Sequence, residues 1–143
     1  MVDKLTVSIP RTAMDDRAME NLKALIKSKE SLIKKALGTE TLAIEIDDEK
    51  ISFPWFKADV DDGLNIYAAF ISSLCDVSRN LTRVNSKKEK QVENEKYAFR
   101  CFLLRLGFVG DSYKRHRKVL LQNLEGSSAF KNDNNKENRH HED

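Results

Sequence analysis

Two stretches in the first half of the chain alternate apolar and polar residues, which is the period of a strand with one buried face. The first is "KLTVSI" at residues 4–9, and Pro10 ends it. The second spans residues 41–55, where two alternating runs flank the polar turn "DDEK" and predict a hairpin. Pro54 predicts that the return strand is an edge strand or ends there, because proline cannot donate to a hydrogen-bond ladder.

Helical spacing, with apolar residues every three or four positions, covers much of the remaining sequence. A first helix is expected from Asp15 to the terminator Gly38, with Thr12 and Asp15 as a capping pair. The apolar stripe of this helix is interrupted at Lys29. Three further helices are predicted, over 64–81, over 94–106 and after an N-cap at Asp111 or Ser112.

This order of elements predicts an α+β fold, in which a small three-stranded sheet (strand, helix, hairpin) precedes a three-helix C-terminal part. A chain of 143 residues has the size of one domain, and we expect that domain to span residues 1–131. Residues 132–143 contain no apolar side chain and are predicted to form a disordered tail. Trp55 is expected to be buried, because large aromatic side chains dominate core burial.

The composition is that of a globular protein, with 40% hydrophobic residues, 34% charged residues, five Gly and two Pro. No apolar run approaches the ~20 residues that span a bilayer, and the N-terminus lacks the pattern of a signal peptide. Cys75 and Cys101 match no metal or redox spacing, so we interpret them as buried thiols in a reducing compartment. These observations favour a cytoplasmic location.

Charge is distributed unevenly along the chain, although the net charge is only +2. Residues 1–78 contain 10 basic and 14 acidic side chains, whereas residues 79–118 contain 12 basic and 4 acidic ones. Such a layout can orient binding to a polyanion, while the small net charge argues against strong non-specific binding to nucleic acid.

Catalytic and metal-binding motifs are missing from the sequence, so we expect no enzyme activity, no cofactor and no metal. His116 is the one histidine before the tail. The acidic loop of Asp59, Asp61, Asp62 and Gly63 fails as an EF-hand, because its Gly comes at the fifth position instead of the sixth. We interpret these carboxylates as a solvated group close to a helix N-terminus.

The segment "YKRHRKVLL" (113–121) contains the strongest candidate site. At ~100° per residue, Lys114, Arg115 and Lys118 project from one helix face, whereas His116 and Arg117 border the apolar stripe. We expect the exposed cations to bind nucleic acid or another anionic partner. Four more basic residues are candidates for the same surface: Arg79, Arg83, Lys87 and Lys88.

The helix predicted over 94–106, a glycine-containing turn and this basic helix have the outline of a helix-turn-helix. Few side chains on the last helix could read base edges, however, and its dipole disfavours cations near the N-terminus unless an anion is bound. A plain solvated face therefore stays open as the alternative.

Four segments resemble a family of small "virulence-related" proteins that are encoded on mobile elements and prophages of Gram-positive gut bacteria. The segments are "LIKKALG" (32–38), "ISFPWF" (51–56), "NEKYAFRCFLLRLGFVG" (94–110) and "RKVLLQNLEGSSAFK" (117–131). The resemblance implies a cytoplasmic accessory protein of a mobile element, and it implies no catalytic residue.

Taken together, the sequence favours a non-enzymatic accessory or regulatory protein that binds nucleic acid or a protein that handles nucleic acid. Inhibition of a host defence nuclease belongs to the second branch. A structural module that pairs through apolar helices, without an anionic ligand, is the alternative, and a small enzyme of unknown type ranks third. The oligomeric state stays open.

Overall fold

A computed structural model describes residues 4–57, 62–80, 94–124 and 126. These residues form three strands and five α-helices, which confirms the α+β fold. In chain order the elements are β1 (Lys4–Pro10), α1 (Asp16–Ser28), α2 (Glu30–Leu37), β2 (Glu45–Ile46), β3 (Lys50–Lys57), α3 (Gly63–Asn80), α4 (Glu95–Arg105) and α5 (Lys114–Leu121). Two single-turn 3₁₀ helices cover Arg11–Ala13 and Asp111–Tyr113.

The chain divides into two compact units, residues 1–89 and 90–143. The first unit contains the sheet with α1, α2 and α3, and the second contains α4 and α5. The expectation of a single domain over 1–131 stays a prediction. The predicted tail, 132–143, lies outside the described residues.

The three strands are antiparallel and lie in the order β1-β3-β2. The return strand of the hairpin, β3, is therefore the central strand. The cross-strand partners Ser8 and Ser52 share a hydrogen bond of 2.9 Å between their hydroxyl groups. At the far end of the hairpin, the N–H of Arg11 donates to the carbonyl of Glu49 at 2.9 Å, which ties the exit of β1 to the turn.

Pro54 lies inside this central strand, so the prediction that it marks an edge or an end was wrong. The register shifts around it, because Leu5 pairs with Phe56 whereas Val7 pairs with Phe53. The strand β3 thus carries one residue more than β1 at a bulge, and the pairing with β2 does not extend this far. A bulge leaves its extra residue unpaired, so the missing N–H of proline costs no ladder bond.

The single helix predicted from Asp15 to Gly38 is divided into two helices, and the break lies at Lys29, where the apolar stripe is interrupted. The backbone of this lysine leaves the helical region at φ −109° and ψ 13°, and α2 begins at the next residue. The N–H of Lys29 donates to the carbonyls of Leu25 and Ile26, each at 3.2 Å, which closes the last turn of α1. The second helix then ends at Gly38, whose φ of 68° is the left-handed conformation that glycine adopts without a Cβ penalty.

The N-cap of α1 is Asp15 alone. Its Oδ1 accepts from the N–H of Ala18 at 2.8 Å. Thr12 lies in a 3₁₀ turn and caps nothing, so the expected capping pair does not form. A single carboxylate at the N-cap satisfies one of the free N–H groups and also complements the helix dipole.

Trp55 is 2% exposed, which confirms that it is a core residue. Its Nε1–H donates to the carbonyl of Ala43 at 2.8 Å, and the ring of Phe53 meets it edge-on at 5.2 Å between centroids. The neighbouring Phe56 stacks on Tyr67 of α3 at 4.6 Å. These contacts fasten the sheet to α3 on one side and to the chain before β2 on the other.

Residues 41–44 form no strand, although the alternating pattern predicted one. Of the run 41–46, the ladder includes Glu45 and Ile46 alone, which pair with Ser52 and Ile51. The hydrogen bond from Trp55 holds the segment 41–44 beside the sheet without a ladder. Leu42 and Ile44 are half-buried between exposed neighbours and Ile46 is exposed, so the alternating pattern here belongs to an anchored loop without a buried strand face.

A side chain–backbone hydrogen bond joins α1 to α3. Buried Asn21 donates through Nδ2 to the carbonyl of Ser78 at 3.1 Å. The hydroxyl of Ser78 donates in turn to the carbonyl of Leu74 at 2.8 Å. This polar contact fixes the two helices in the middle of an apolar interface, where an unpaired amide would be costly.

The hairpin turn depends on one ionised carboxylate. Oδ1 of Asp47 accepts from the N–H of Glu49 at 2.8 Å and from the N–H of Lys50 at 2.7 Å, and these bonds lower the pKa of Asp47. A carboxyl group with a lowered folded-state pKa stabilises the fold above its unfolded pKa of ~3.9, and this stability is lost as pH falls through the folded value.

We therefore expect Asp47→Asn to lower the melting temperature at pH 6 and to have a smaller effect at pH 3, which is below the unfolded pKa, so that part of the stabilisation is already lost. Circular dichroism melts of both proteins at the two pH values measure this. The neighbouring Asp48→Asn is the control, since the two turn hydrogen bonds are accepted by Asp47 and not by Asp48. An equal penalty for Asp47→Asn at both pH values contradicts the prediction.

Of the helices in the described part of the chain, none combines the length and the apolarity that crossing a bilayer requires.

Candidate anion-binding surface

The basic segment folds as α5, an eight-residue helix at Lys114–Leu121. Lys114, Arg115 and Lys118 are exposed, whereas His116 and Arg117 are half-buried, as the helical spacing predicts. The opposite side of the helix is apolar and buried at Val119, Leu120 and Leu121. The three exposed cations therefore share one solvent-facing side of a helix that is anchored by its other side.

The start of α5 differs from the expectation that Asp111 or Ser112 would cap it. Both residues lie in a 3₁₀ turn, and the N-cap is Tyr113, whose side chain makes no capping bond. No acidic residue lies in the first helical turn. The N-terminal N–H groups of α5 thus have no carboxylate beside them on their own helix, although two cations, Lys114 and Arg115, are placed there.

Arg117 holds the loop between α4 and α5. Its Nη1 donates to the carbonyl of Phe108 at 3.0 Å and to the carbonyl of Gly110 at 2.9 Å. A guanidinium group that is committed to two backbone carbonyls has fewer donors left for an external anion. Among the basic residues of 114–118, Arg117 is therefore structural, which agrees with its predicted place at the border of the apolar stripe.

The end of α4 is a Schellman motif. The N–H of Phe108 donates to the carbonyl of Leu103 at 3.0 Å, and the N–H of Gly107 donates to the carbonyl of Leu104 at 3.1 Å. Gly107 has φ 108°, which favours glycine, and the side chains of Leu103 and Phe108 are both buried. The chain therefore leaves α4 along a fixed path, and Arg117 fixes the following residues.

His116 belongs to an aromatic cluster. Its ring lies 5.8 Å from the ring of Phe108 and 5.1 Å from that of Tyr113, centroid to centroid. Its Nδ1 is buried and has no hydrogen-bond partner among the described residues. A general base of the triad type needs a hydrogen bond that orients its imidazole ring. Among the described residues, no group forms such a bond with Nδ1 of His116.

The connection between α4 and α5 spans residues 106–113. A helix-turn-helix joins its helices through about three or four residues, so this connection is longer. The second helix is also short, with eight residues. The helix-turn-helix outline therefore stays a prediction, and the surface is better described as a short basic helix on a fixed loop.

Arg79 is the one other predicted cation that the structure describes. Its guanidinium forms an ion pair with the carboxylate of Asp76 and also donates to the carbonyl of Ala13 at 3.4 Å. The other three, Arg83, Lys87 and Lys88, lie outside the described residues. A single patch that unites these four with the basic face of α5 stays a prediction.

The two cysteines differ in burial. Burial raises the pKa of the Cys75 thiol to about 11, against a smaller opposing effect of Arg79, so this thiol stays protonated at neutral pH. Cys101 is half-buried, so the expectation of a buried thiol was wrong there. A hydrogen bond with Cys101 raises the pKa of Tyr97, which lies one helical turn earlier in α4.

Within the described ranges, no group of three or more His, Cys, Asp or Glu side chains could hold a metal ion. Of the acidic loop considered above, Asp59 and Asp61 lie outside these ranges. Gly63 begins α3, and the carbonyl of Asp62 accepts from the N–H of Ile66 at 3.2 Å.

The sequence interpretation missed a second basic feature, which lies in the first unit. Lys23, Lys27 and Lys34 border a groove of 310 Å³ between α1, α2 and the segment 41–44. The signal was present in the sequence, because these lysines follow one another at helical spacings of four and seven residues. The wall of the groove that faces these lysines is formed by residues 41–44, and it could not be predicted because these residues were assigned to a strand.

Comparison with protein-family models, with curated proteins and with solved structures finds no match to this chain.

Proposed function

We propose that this chain is a non-enzymatic accessory or regulatory protein of a mobile genetic element, located in the cytoplasm. It acts by binding nucleic acid, or a protein that handles nucleic acid, through Lys114, Arg115 and Lys118. The link to a mobile element rests on the resemblance of the four segments. Interference with a host defence nuclease belongs to the protein-binding branch of the proposal.

The observation that carries the proposal is that the basic residues of α5 differ in their contacts and exposure. Arg117, the cation at the border of the apolar side, is occupied by two backbone carbonyls, whereas Lys114, Arg115 and Lys118 are exposed. Two of the three lie in the first turn, where the helix dipole disfavours cations and favours an anion. A bound phosphate or carboxylate would remove this penalty by pairing with the cations.

Phosphate binding predicts a specific salt dependence. Replacing Lys114, Arg115 and Lys118 with Gln removes at most three phosphate contacts, each worth ~0.9 in the slope of log affinity against log salt on duplex DNA. The triple variant should bind DNA more weakly on all sequences, with a slope shallower by up to ~2.7. Fluorescence anisotropy with labelled duplex, single-stranded DNA and RNA between 20 and about 200 mM salt measures both quantities.

The control is a charge-matched variant in which Arg17, Lys50 and Lys57, all exposed, are replaced with Gln. It should retain the wild-type slope. If wild-type protein binds none of the three nucleic acids at low salt, phosphate binding is excluded. A pull-down from the host with and without nuclease treatment then tests the protein branch, which requires a partner that the triple variant loses and the control keeps.

A further inference from the structure

The groove in the first unit has a basic rim and an aliphatic floor. Lys23 and Lys27 lie on α1 and Lys34 lies on α2. Ile26 lies between these lysines at the floor, and Leu42, Ala43 and Ile44 form the opposite wall. Ile26 is buried, and Leu42 and Ile44 are half-buried. The volume of 310 Å³ lies at the lower end of ligand-binding clefts, which measure about 300–1,000 Å³.

The three lysines of the rim differ in whether a carboxylate pairs with them. Lys34 forms an ion pair of 3.3 Å with Glu30, which also lines the groove. In the part of the chain that the structure describes, neither Lys23 nor Lys27 has an ion pair, and both side chains are exposed. They lie one turn apart on α1, where like charges repel each other and an anion between them relieves the repulsion.

This basic rim stands out against its surroundings. Residues 1–78 carry more acidic than basic side chains, yet three lysines and a single glutamate line the groove. Acidic side chains close to the opposite wall, Glu40 and Glu45, leave the positive charge concentrated on the α1 side. An occupant should therefore place its negative charges against α1 and its apolar groups over the floor.

The opposite wall is suited to an extended chain. The segment 41–44 leads into the two-residue strand β2, which among the described residues has β3 as its one neighbour in the sheet and is therefore an edge strand. An edge strand presents alternate N–H and C=O groups outward, and these can pair with an added strand. Ile46 on β2 is 45% exposed and continues the apolar surface beyond the groove.

The wall is also held in place before any ligand binds. The carbonyl of Ala43 accepts from Nε1 of buried Trp55 at 2.8 Å, and the hydroxyl of Thr39 donates to the carbonyl of Thr41 at 3.1 Å. A segment that is fixed in this way loses little further freedom on binding, which favours affinity. None of the described residues that line the groove is aromatic, so they provide no stacking surface of the kind on which nucleobases bind.

We propose that this groove binds an extended acidic peptide segment of a partner protein, which lies along residues 42–44 and pairs with the edge of the sheet at β2. Apolar side chains of the peptide cover Leu42 and Ile44, and its carboxylates pair with Lys23 and Lys27. The site is separate from the basic face of α5 and does not depend on the function proposed for that face.

The test uses the full chain and two synthetic probes in isothermal titration calorimetry. The acidic probe is a blocked hexapeptide that alternates Val with Glu, and the second probe carries Lys in place of Glu. Lys23→Gln with Lys27→Gln should weaken binding of the acidic probe about two- to thirtyfold, the range expected for two exposed ion pairs. Arg17→Gln with Lys57→Gln is the control with the same loss of charge and should bind as the wild type does.

Amide NMR spectra locate the bound probe. We expect shifts at the backbone of Leu42, Ile44 and Ile46 and at the indole N–H of Trp55, whose acceptor lies in the groove wall. The variant with Lys114, Arg115 and Lys118 replaced should bind the probe normally, which separates this site from the nucleic-acid proposal.

Three results overturn the inference: no binding of the acidic probe, equal binding of the Lys-containing probe, or binding that the Lys23 and Lys27 substitutions leave unchanged. A fourth is saturable binding of decanoate in the groove without binding of the peptide. That result would make the ligand a small amphipathic anion.

Discussion

Replacing Trp55 with alanine should lower the free energy of unfolding of the first unit by about 3–5 kcal/mol, as is typical for a buried aromatic residue. The side chain is 2% exposed and contacts the ring of Phe53. The substitution also leaves the carbonyl of Ala43 without its donor. Urea unfolding followed by far-UV circular dichroism measures the loss without relying on the fluorescence of the residue that is removed.

Trp55→Phe separates packing from hydrogen bonding. Phenylalanine keeps most of the apolar ring but cannot donate a hydrogen bond to the carbonyl of Ala43. Loss of this hydrogen bond should lower the free energy of unfolding by about 0.5–1.5 kcal/mol, in addition to the effect of the smaller buried area. A small loss for Trp55→Phe and a large one for Trp55→Ala supports the contacts described. An alanine variant that unfolds like the wild type would show that the indole is not part of the core.

Leu120→Ala should destabilise the second unit by about 2–5 kcal/mol, the range for a leucine removed from a packed site. Leu120 is 1% exposed and lies on the apolar side of α5. Leu124, at 4% exposure, should behave in the same way. Helix content and urea midpoints of each variant provide the measurement.

Lys118→Ala is the matched control on the same helix, two residues from Leu120. Its side chain is exposed and alanine is the better helix former, so stability should stay within about 0.5 kcal/mol of the wild type. If Lys118→Ala destabilises the protein as much as Leu120→Ala does, the division of α5 into a buried and an exposed side is wrong.

Patterns that depend on local spacing predicted the structure well. The helical spacing of 113–121 placed Lys114, Arg115 and Lys118 in solvent and Arg117 at the border, and the break between α1 and α2 lies at Lys29, where the apolar stripe is interrupted. Such features depend on residues three or four positions apart, so a single sequence contains the necessary information.

Features that depend on distant residues could not be predicted in this way. Pro54 is tolerated in a central strand because β1 carries one residue fewer opposite it, and no local pattern reports that register. Residues 41–44 have the period of a strand but are held by Trp55, twelve positions after Ala43. The groove could not be predicted either, because one of its walls is this segment and the position of the segment depends on the distant Trp55.

The two carbonyls held by Arg117 have a practical consequence for charge-scanning mutagenesis of this helix. Neutralising each basic residue from 114 to 118 in turn would produce a false positive at Arg117. Its loss frees the carbonyls of Phe108 and Gly110 and lets the loop that positions α5 relax. Weaker binding by that variant would report a misplaced helix and should not be counted as a lost contact to the partner.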